Sequence, residues 1–382
     1  MPREIRFSAP DITDAEVAAA TRALMSGWIT TGEECLSLER ELAEYLGVEH
    51  VVAVSSCTAA LEISVAHLGL PRGSKIGVPT WTFVSSALAP YHRGVMPVPL
   101  DIDEETFNLS PEALRRSIAE DGLDAVIAVH FGGVPFGEDI HQICNEAGIP
   151  LIEDAAHALG ASDHRGMVAG QGTAGCCYSF YATKNLTSAE GGALATDDAE
   201  LAGFAQSFRL HGLSRDAWAR YTPGAKTAAY DILGDGLKAN LPDILAAIAR
   251  AQLDRFEGLQ ERRRELADLY RGLLGDIYDL NVVPRVPREG SANHLMMVTL
   301  PEGADRTAVQ GHLSSEGIGS SVHFRPLHTF EWFAANGLDS GSGGTPVADR
   351  FAERALSLPF HTCLSDDDVE RVCAQLQLAL KV

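Results

Sequence analysis

Basic side chains are scarce in this chain: 30 Lys and Arg stand against 52 Asp and Glu, a formal net charge of −22 over 382 residues. A field of that sign repels polyphosphate and anionic lipid. With no concentrated basic patch to offset it, nucleic acid and membrane surfaces are excluded as general partners. Long apolar runs are also missing. Stretches such as Ala125–Val129 fall far short of the ~20 residues that span a bilayer. The start, Met1-Pro2-Arg3-Glu4, lacks the apolar region of a signal peptide, so a cytoplasmic location is expected. The seven cysteines are scattered, odd in number and form no C-x-x-C pair; reduced thiols and no metal centre are expected. The dinucleotide, P-loop, serine-hydrolase and zinc-protease motifs (G-x-G-x-x-G after a strand, G-x-x-x-x-G-K-[ST], G-x-S-x-G, H-E-x-x-H) are absent as well.

What the sequence does contain is an ordinary globular composition, 46% apolar and 21% charged, with a repeating rhythm over its first two thirds. Short apolar runs (Val51–Val54, Lys75–Val78, Val95–Val98, Ala125–Val129, Pro150–Glu153) alternate with helical stretches (Ala59–Leu68, Val84–Tyr91, Pro111–Ala119, Asp139–Ala147). That is the pattern of strands joined by crossover helices. Because the runs are continuous and not alternating, the sheet should be covered on both faces. Ser110-Pro111 marks a helix start and Gly148 a stop. A long helical segment, Asp243–Leu274, is followed by a strand at His294–Thr299 and a last helix, Asp366–Leu380, behind the capping pair Ser365 and Asp368. The expected organisation is a large α/β domain over residues 1–245 and a smaller C-terminal α+β domain over 246–382. Asp339–Gly344 reads as a mobile surface loop.

Three stretches bear on chemistry, each with two readings open. Small residues at Ser55–Ala60 follow a strand, and the backbone N–H groups of a helix start there suit a phosphate, or Ser and Thr simply cap the helix. Glu153 and Asp154 close an apolar strand at the sheet edge where ligands of open α/β folds collect; an acid there can hold a protonated ring nitrogen or cap a helix. Lys184, in a stretch with few charges before Gly191-Gly192, is either a solvated surface lysine or an amine of lowered pKa able to form a Schiff base.

Taken in order, these blocks resemble the fold-type I pyridoxal-phosphate enzymes, and more narrowly the DegT-type sugar-nucleotide aminotransferases. The resemblance runs through Gly27–Gly32, Pro79–Val84, Glu153–His157, Ser179–Leu186, Ala189–Gly192, His323–His328 and Leu356–Pro359. It implies pyridoxal 5'-phosphate as cofactor, held covalently by Lys184, with Asp154 on the pyridine nitrogen. It further implies Cys57 (through its backbone N–H), Thr58 and Ser179 at the phosphate, Phe83 stacked on the ring, and His157 beside the phenolic oxygen. Asn240 matches a residue that reaches the phosphate of a neighbouring subunit's cofactor, so a homodimer with shared sites is implied. His323 and Arg325 resemble substrate-side positions, and Arg325, Lys238 or Arg220 are candidates for the nucleotide diphosphate. Two departures stand out: Cys57 replaces a usual Gly or Ala, and Pro242 a usual Thr. The implied reaction moves the amino group of L-glutamate to a nucleotide-linked keto sugar. The wording of Thr183–Gly192, His211–Trp218 and Gly317–Arg325 is most similar to the enzymes that aminate 4-keto sugars, including the UDP-4-amino-arabinose type, with amination at C3 as the alternative. Related sugar dehydratases replace the lysine with histidine, so Lys184 argues for transamination. A catalytically silent binding or regulatory protein on the same scaffold is the reading from another class, and nothing in the fold alone would require it to keep Asp154 and Lys184.

Overall fold

The computed structural model describes residues 3–170, 173–214, 230–275, 277, 279–284 and 290–381. Two helices, α1 (Asp14–Met25) and α2 (Glu33–Leu46), precede an alternating series. It comprises β1 (His50–Val54), α3 (Cys57–His67), β2 (Lys75–Pro79), α4 (Ser85–His92), β3 (Met96–Leu100), α5 (Pro111–Asp121), β4 (Ala125–Val129), α6 (Glu138–Ala147) and β5 (Leu151–Asp154). A small hairpin, β6 (Ser162–Asp163) and β7 (Gly166–Met167), leads to β8 (Cys176–Ser179), β9 (Gly192–Thr196) and α7 (Ala199–Phe208). The expected helix boundaries have visible causes. Ser110 Oγ accepts from the N–H of Ala113 at the start of α5, and Gly148, at φ 65°, ends α6 in the left-handed region.

Seven strands form one sheet in the order β1-β9-β8-β5-β4-β2-β3. Only β9 runs against the rest, pairing antiparallel with both β1 and β8. The central strands are buried at every position. One face packs on α3, α4 and α7 through Leu61, Ile63, Val78 and Phe208; the other packs on α2 through Leu38 and Leu42, and on α5 and α6 through Leu114 and Ile140. The carboxyl ends of β1, β2, β4, β5 and β8 therefore converge on one edge, which is where a ligand can enter without breaking a core.

The segment expected as one helix over Asp243–Leu274 is two, α8 (Asp243–Leu253) and α9 (Phe256–Leu274). Arg255 leaves helical geometry at φ −117°, ψ 13°, and its guanidinium binds Glu16 at 2.8 Å and Asp11 at 2.9 Å. A tertiary ion pair to the start of the chain interrupts a segment whose local propensity is helical throughout. Beyond it lie β10 (Asn281–Val283), β11 (Met296–Thr299), α10 (Arg306–Ser315), α11 (Glu331–Ala335), α12 (Pro346–Ala352), β12 (Ala355–Leu358) and α13 (Asp366–Ala379). The three strands make a second, antiparallel sheet with its own core of Leu266, Tyr270, Val298, Leu313, Leu356, Val372 and Leu376. The Ser365–Asp368 capping box is formed. Asp339–Gly344 is tied down where mobility was expected: Gly341 N–H donates to the Pro99 carbonyl at 2.9 Å, and Ser342 donates twice to Asp121, at 2.7 and 2.8 Å. Among the described residues no helix is long and apolar enough to cross a membrane.

Asp243 holds the N-terminal layer in place. As the first residue of α8, behind an uncapped Pro242, it receives the N–H groups of Gly32, Cys35 and Glu34 at 2.7, 3.1 and 3.3 Å, and so caps α2 from a distant part of the chain. Its carboxyl is buried, which raises its pKa by desolvation against the pull of those three donors. Asp243→Ala orphans all three at once. At about 1.5–3 kcal/mol per hydrogen bond to a charged acceptor, discounted for rescue by water, the variant should lose about 2–3 kcal/mol of stability. Chemical denaturation should read this as a lower midpoint at unchanged slope; an unshifted midpoint would remove Asp243 as the cap.

Candidate active site

A cavity of about 450 Å³ opens at the carboxyl edge of the large sheet. Its walls are built from strand ends and the turns that follow them. After β1 comes Ser56, the N-cap of α3, whose Oγ accepts from the Ala59 N–H at 3.1 Å. Among the described residues the N–H groups of Cys57 and Thr58, the first two of that helix, have no acceptor. Free donors at a helix start, in a cavity, bind anions. Gly192 allows this approach: a Cβ there would lie 2.6 Å from the Cys57 nitrogen and 2.5 Å from the Tyr178 carbonyl oxygen.

Of the two carboxylates that close β5, only Asp154 lines the cavity. Successive strand residues face opposite sides of the sheet. Glu153 accordingly turns away, fully buried, to His130 Nε2 at 2.9 Å. Asp154 is nearly buried as well, at 4% exposure. Its Oδ2 accepts from Ser86 Oγ at 2.7 Å and its Oδ1 from the Ala156 N–H at 3.2 Å. Cys57 Sγ lies 3.6 Å from Oδ1 and 3.3 Å from the Cys177 carbonyl oxygen.

Lys184 sits in the turn between β8 and β9, and that turn is closed by its own backbone. Phe180 N–H donates to Gly191 O, Ser188 N–H to Phe180 O and Lys184 N–H to Tyr181 O, each at 2.9 Å. The next residue, Asn185, is buried and donates to the Ala292 carbonyl at 2.7 Å and to Gln260 at 3.1 Å, which pins the turn to the far side of the cavity. Desolvation lowers the Lys184 amine to about 8, although Cys57 and Asp154 pull the other way. Among the described residues no carboxylate forms an ion pair with that amine. Acid and amine thus share a cavity and leave space between them.

The remaining walls are aromatic. Phe83 lies 57% exposed at the cavity with its ring centroid 6.1 Å from that of Phe324. His157 accepts from the Gly132 N–H through Nδ1 at 3.3 Å, so its ring proton is on Nε2; burial keeps its pKa well below the usual histidine value. His294, its ring 4.3 Å from that of His157, is fixed in the opposite tautomer. Its Nδ1 is 2.8 Å from Asn185 Oδ1, which can only accept. His323 lines the cavity too, held by the buried Trp81 indole N–H on its carbonyl at 2.9 Å, and desolvation brings its pKa to about 4.

Cys57, Thr58, Phe83, Asp154, His157, Ser179, Lys184 and His323 are therefore brought together around one cavity. Three described candidates, Asn240, Lys238 and Arg325, stand outside its walls. Asn240, bridged to Val54 at the end of β1, donates to Thr31 Oγ1 at 2.7 Å and accepts from Lys238. Arg325 donates to Thr329 Oγ1 at 2.8 Å and stacks 4.6 Å over Phe330. Arg220 and the end of the His211–Trp218 block lie outside the described residues. Thr82 and Glu190 fall inside blocks that carry the resemblance but are given no role there, and Ser86 and His294 have none. Their types are those of ordinary caps, surface acids and core histidines, and no local signal marks them.

The donor set fits pyridoxal phosphate: orphan N–H groups beside two hydroxyls for a phosphate, an acid and an uncharged-capable amine held apart, and an exposed ring to cover an aromatic face. Comparison with known proteins agrees. Residues 10–377 match the DegT/DnrJ/EryC1/StrS aminotransferase family. The spore coat polysaccharide biosynthesis protein SpsC of Bacillus subtilis (strain 168) is 37% identical over 372 residues, covering 96% of this chain and 94% of its own. Spr1654 of Streptococcus pneumoniae, solved in its PLP form, superposes with a TM-score of 0.90 at 30% identity over 99% of both chains. DesI, solved in the presence of its TDP-sugar product, superposes with a TM-score of 0.85 at 30% identity over 100% of this chain and 93% of its own.

A lysine whose pKa is about 8 reacts with an aldehyde through its neutral form. The rate of pyridoxal-phosphate uptake by the apoprotein should climb about fivefold from pH 7 to 8, about twofold from pH 8 to 9, and flatten beyond, where about nine-tenths of the amine is neutral. Stopped-flow absorbance checks this. A rate still rising about tenfold per unit between pH 8 and 10, as for an ordinary lysine near 10.4, would contradict it.

Proposed function

The chain belongs to the DegT/DnrJ/EryC1/StrS aminotransferase family, and from that premise we propose that it transfers the amino group of L-glutamate to C4 of a UDP- or dTDP-linked 4-keto sugar, as a cytoplasmic homodimer with shared active sites. Pyridoxal-phosphate-dependent sugar amination is the activity of this family. What carries the assignment of residues is one observation: Lys184 and Asp154 line the same cavity, unpaired with each other, beside the open helix start at Cys57 and Thr58.

In this reading the N–H groups of Cys57 and Thr58 and the hydroxyls of Thr58 and Ser179 take the cofactor's phosphate. Phe83 would cover a ring face, and His157, with its proton on Nε2, would donate to the phenolic oxygen. Asp154 would accept from the ring N–H and balance its positive charge. Bound there, the cofactor supplies an electron sink for the carbon that loses its proton. Lys184 would hold the cofactor through Nζ and, when not so engaged, its amine would be the base for the α-proton of the donor. A pKa of about 8 places it close to working pH, where it can both accept and return a proton.

His323 faces the substrate from the cavity wall, while Asn240 would complete the site of the partner subunit. Arg325 and Lys238 are the described cations nearest in sequence to site residues, and either would offset the molecule's negative field for a diphosphate. The nucleotide-linked substrate is supported by DesI, whose structure was solved with its TDP-sugar product.

The test is a panel of dTDP- and UDP-linked 3-keto and 4-keto sugars incubated with glutamate, the amino position being read by NMR. Conversion of a 4-keto sugar to its 4-amino product is expected. A 3-amino product, or no turnover of any 4-keto sugar while another acceptor is aminated, would overturn the assignment. Lys184→Ala should reduce turnover at least about a thousandfold and abolish the visible cofactor band.

A further inference from the structure

Asp154 does not meet the cavity alone. Its Oδ2 is bonded to Ser86 Oγ at 2.7 Å, and Ser86 Oγ lies 2.7 Å from Thr82 Oγ1. Both hydroxyls are buried, Ser86 completely. The direction of the chain follows from proton count. An ionised carboxylate only accepts, so the single Ser86 proton goes to Asp154, and Thr82 must then donate to Ser86. Thr82 precedes Phe83 and Ser86 lies in the first turn of α4 just after it, so one short stretch both covers the cavity and reaches behind the carboxylate. On the other oxygen the only backbone donor among the described residues is the Ala156 N–H at 3.2 Å. The Cys57 thiol also has a single proton, and its nearer acceptor is the Cys177 carbonyl at 3.3 Å, so it adds little to Oδ1.

We propose that Ser86, oriented by Thr82, is a positioning residue that fixes the plane of the Asp154 carboxylate and draws charge from Oδ2, so that a proton shared with a ring nitrogen in the cavity stays on the nitrogen. The inference rests on the assignment of Asp154 to the pyridine nitrogen given above. A carboxylate with one donor on each oxygen keeps a lone pair on each for the cavity and cannot rotate without breaking a bond. Removal of the Ser86 donor frees the rotation and concentrates charge on Oδ2. The ring nitrogen then surrenders its proton more readily, and the cofactor loses part of its pull on electrons. Cys57, His157, Tyr181, Lys184, Glu190, His294 and His323 are the other titratable groups that line this cavity, and among the described residues none of them bonds to Ser86.

The test uses the full-length holoenzyme and the variants Ser86→Ala, Thr82→Val and the double variant. Thr82→Val keeps the side-chain shape, so it decides the matter even where Ser86→Ala does not fold. The expected result for Ser86→Ala is wild-type cofactor occupancy, a visible band whose pH midpoint moves upward by about one unit, and kcat about tenfold lower with KM for glutamate within about twofold. Thr82→Val should move the midpoint in the same direction by less, and the double variant should match Ser86→Ala, because Thr82 acts only through Ser86. Folded, loaded variants with an unmoved midpoint, or effects of the two substitutions that simply add, would overturn the proposal. A wild-type protein without the visible band would instead sink the assignment of Asp154 and Lys184 on which it rests.

Discussion

An amine and a carboxylate withdrawn from water attract each other strongly, and the structure depends on keeping this pair apart. Lys184 rises from a turn closed by three backbone hydrogen bonds, and Asp154 ends a strand in the middle of the large sheet. These bonds fix the two backbones, and among the described residues no ion pair joins the two side chains. The separation leaves the amine desolvated and lowered to about 8, while the carboxylate is held by Ser86 and Ala156. Collapse into an ion pair would fill the cavity and restore an ordinary, protonated lysine.

The fold serves this separation. Parallel strands β8, β5, β4, β2 and β3 bring their carboxyl ends to one edge, and reversed β9 returns the chain so that the Lys184 turn closes over that same edge. Gly192, where β9 passes under the start of α3, is the point at which any side chain would prevent the approach. The C-terminal part contributes His323, whose Nδ1 lies 3.0 Å from Ser357 Oγ in β12, and, in the segment before β11, His294; Trp81 joins them to the large sheet by donating to the His323 carbonyl from the buried turn after β2. A cavity assembled from both parts of the chain is shielded on several sides at once.

Much of this was legible in the sequence where local physics decides the outcome. Continuous apolar runs, the Ser110-Pro111 start, the Gly148 stop and the Ser365–Asp368 box all act within a few residues, and all are present. The strand-end acid and the lysine before a double glycine were legible only as a pattern, since each alone also suits a cap or a surface residue. What stayed hidden is tertiary. Arg255 breaks a helix by binding Glu16 and Asp11 at the other end of the chain. Asp121 anchors the Gly- and Ser-rich loop at Ser342. Ser86 looks like one more small residue at a helix start until the fold sets it against Asp154. His294 has no motif, and its tautomer is decided by Asn185, more than a hundred positions earlier.

The central claim is covalent: of the five lysines in the chain, the one at position 184 carries the cofactor. Borohydride reduction of the fully loaded, active protein, followed by peptide mapping, tests it most directly. The account predicts a single reduced adduct in the peptide spanning Tyr181 to Gly192, and none on Lys75, Lys226, Lys238 or Lys381. An unmodified peptide from that region, or an adduct on another lysine in protein that retains turnover before reduction, would contradict it.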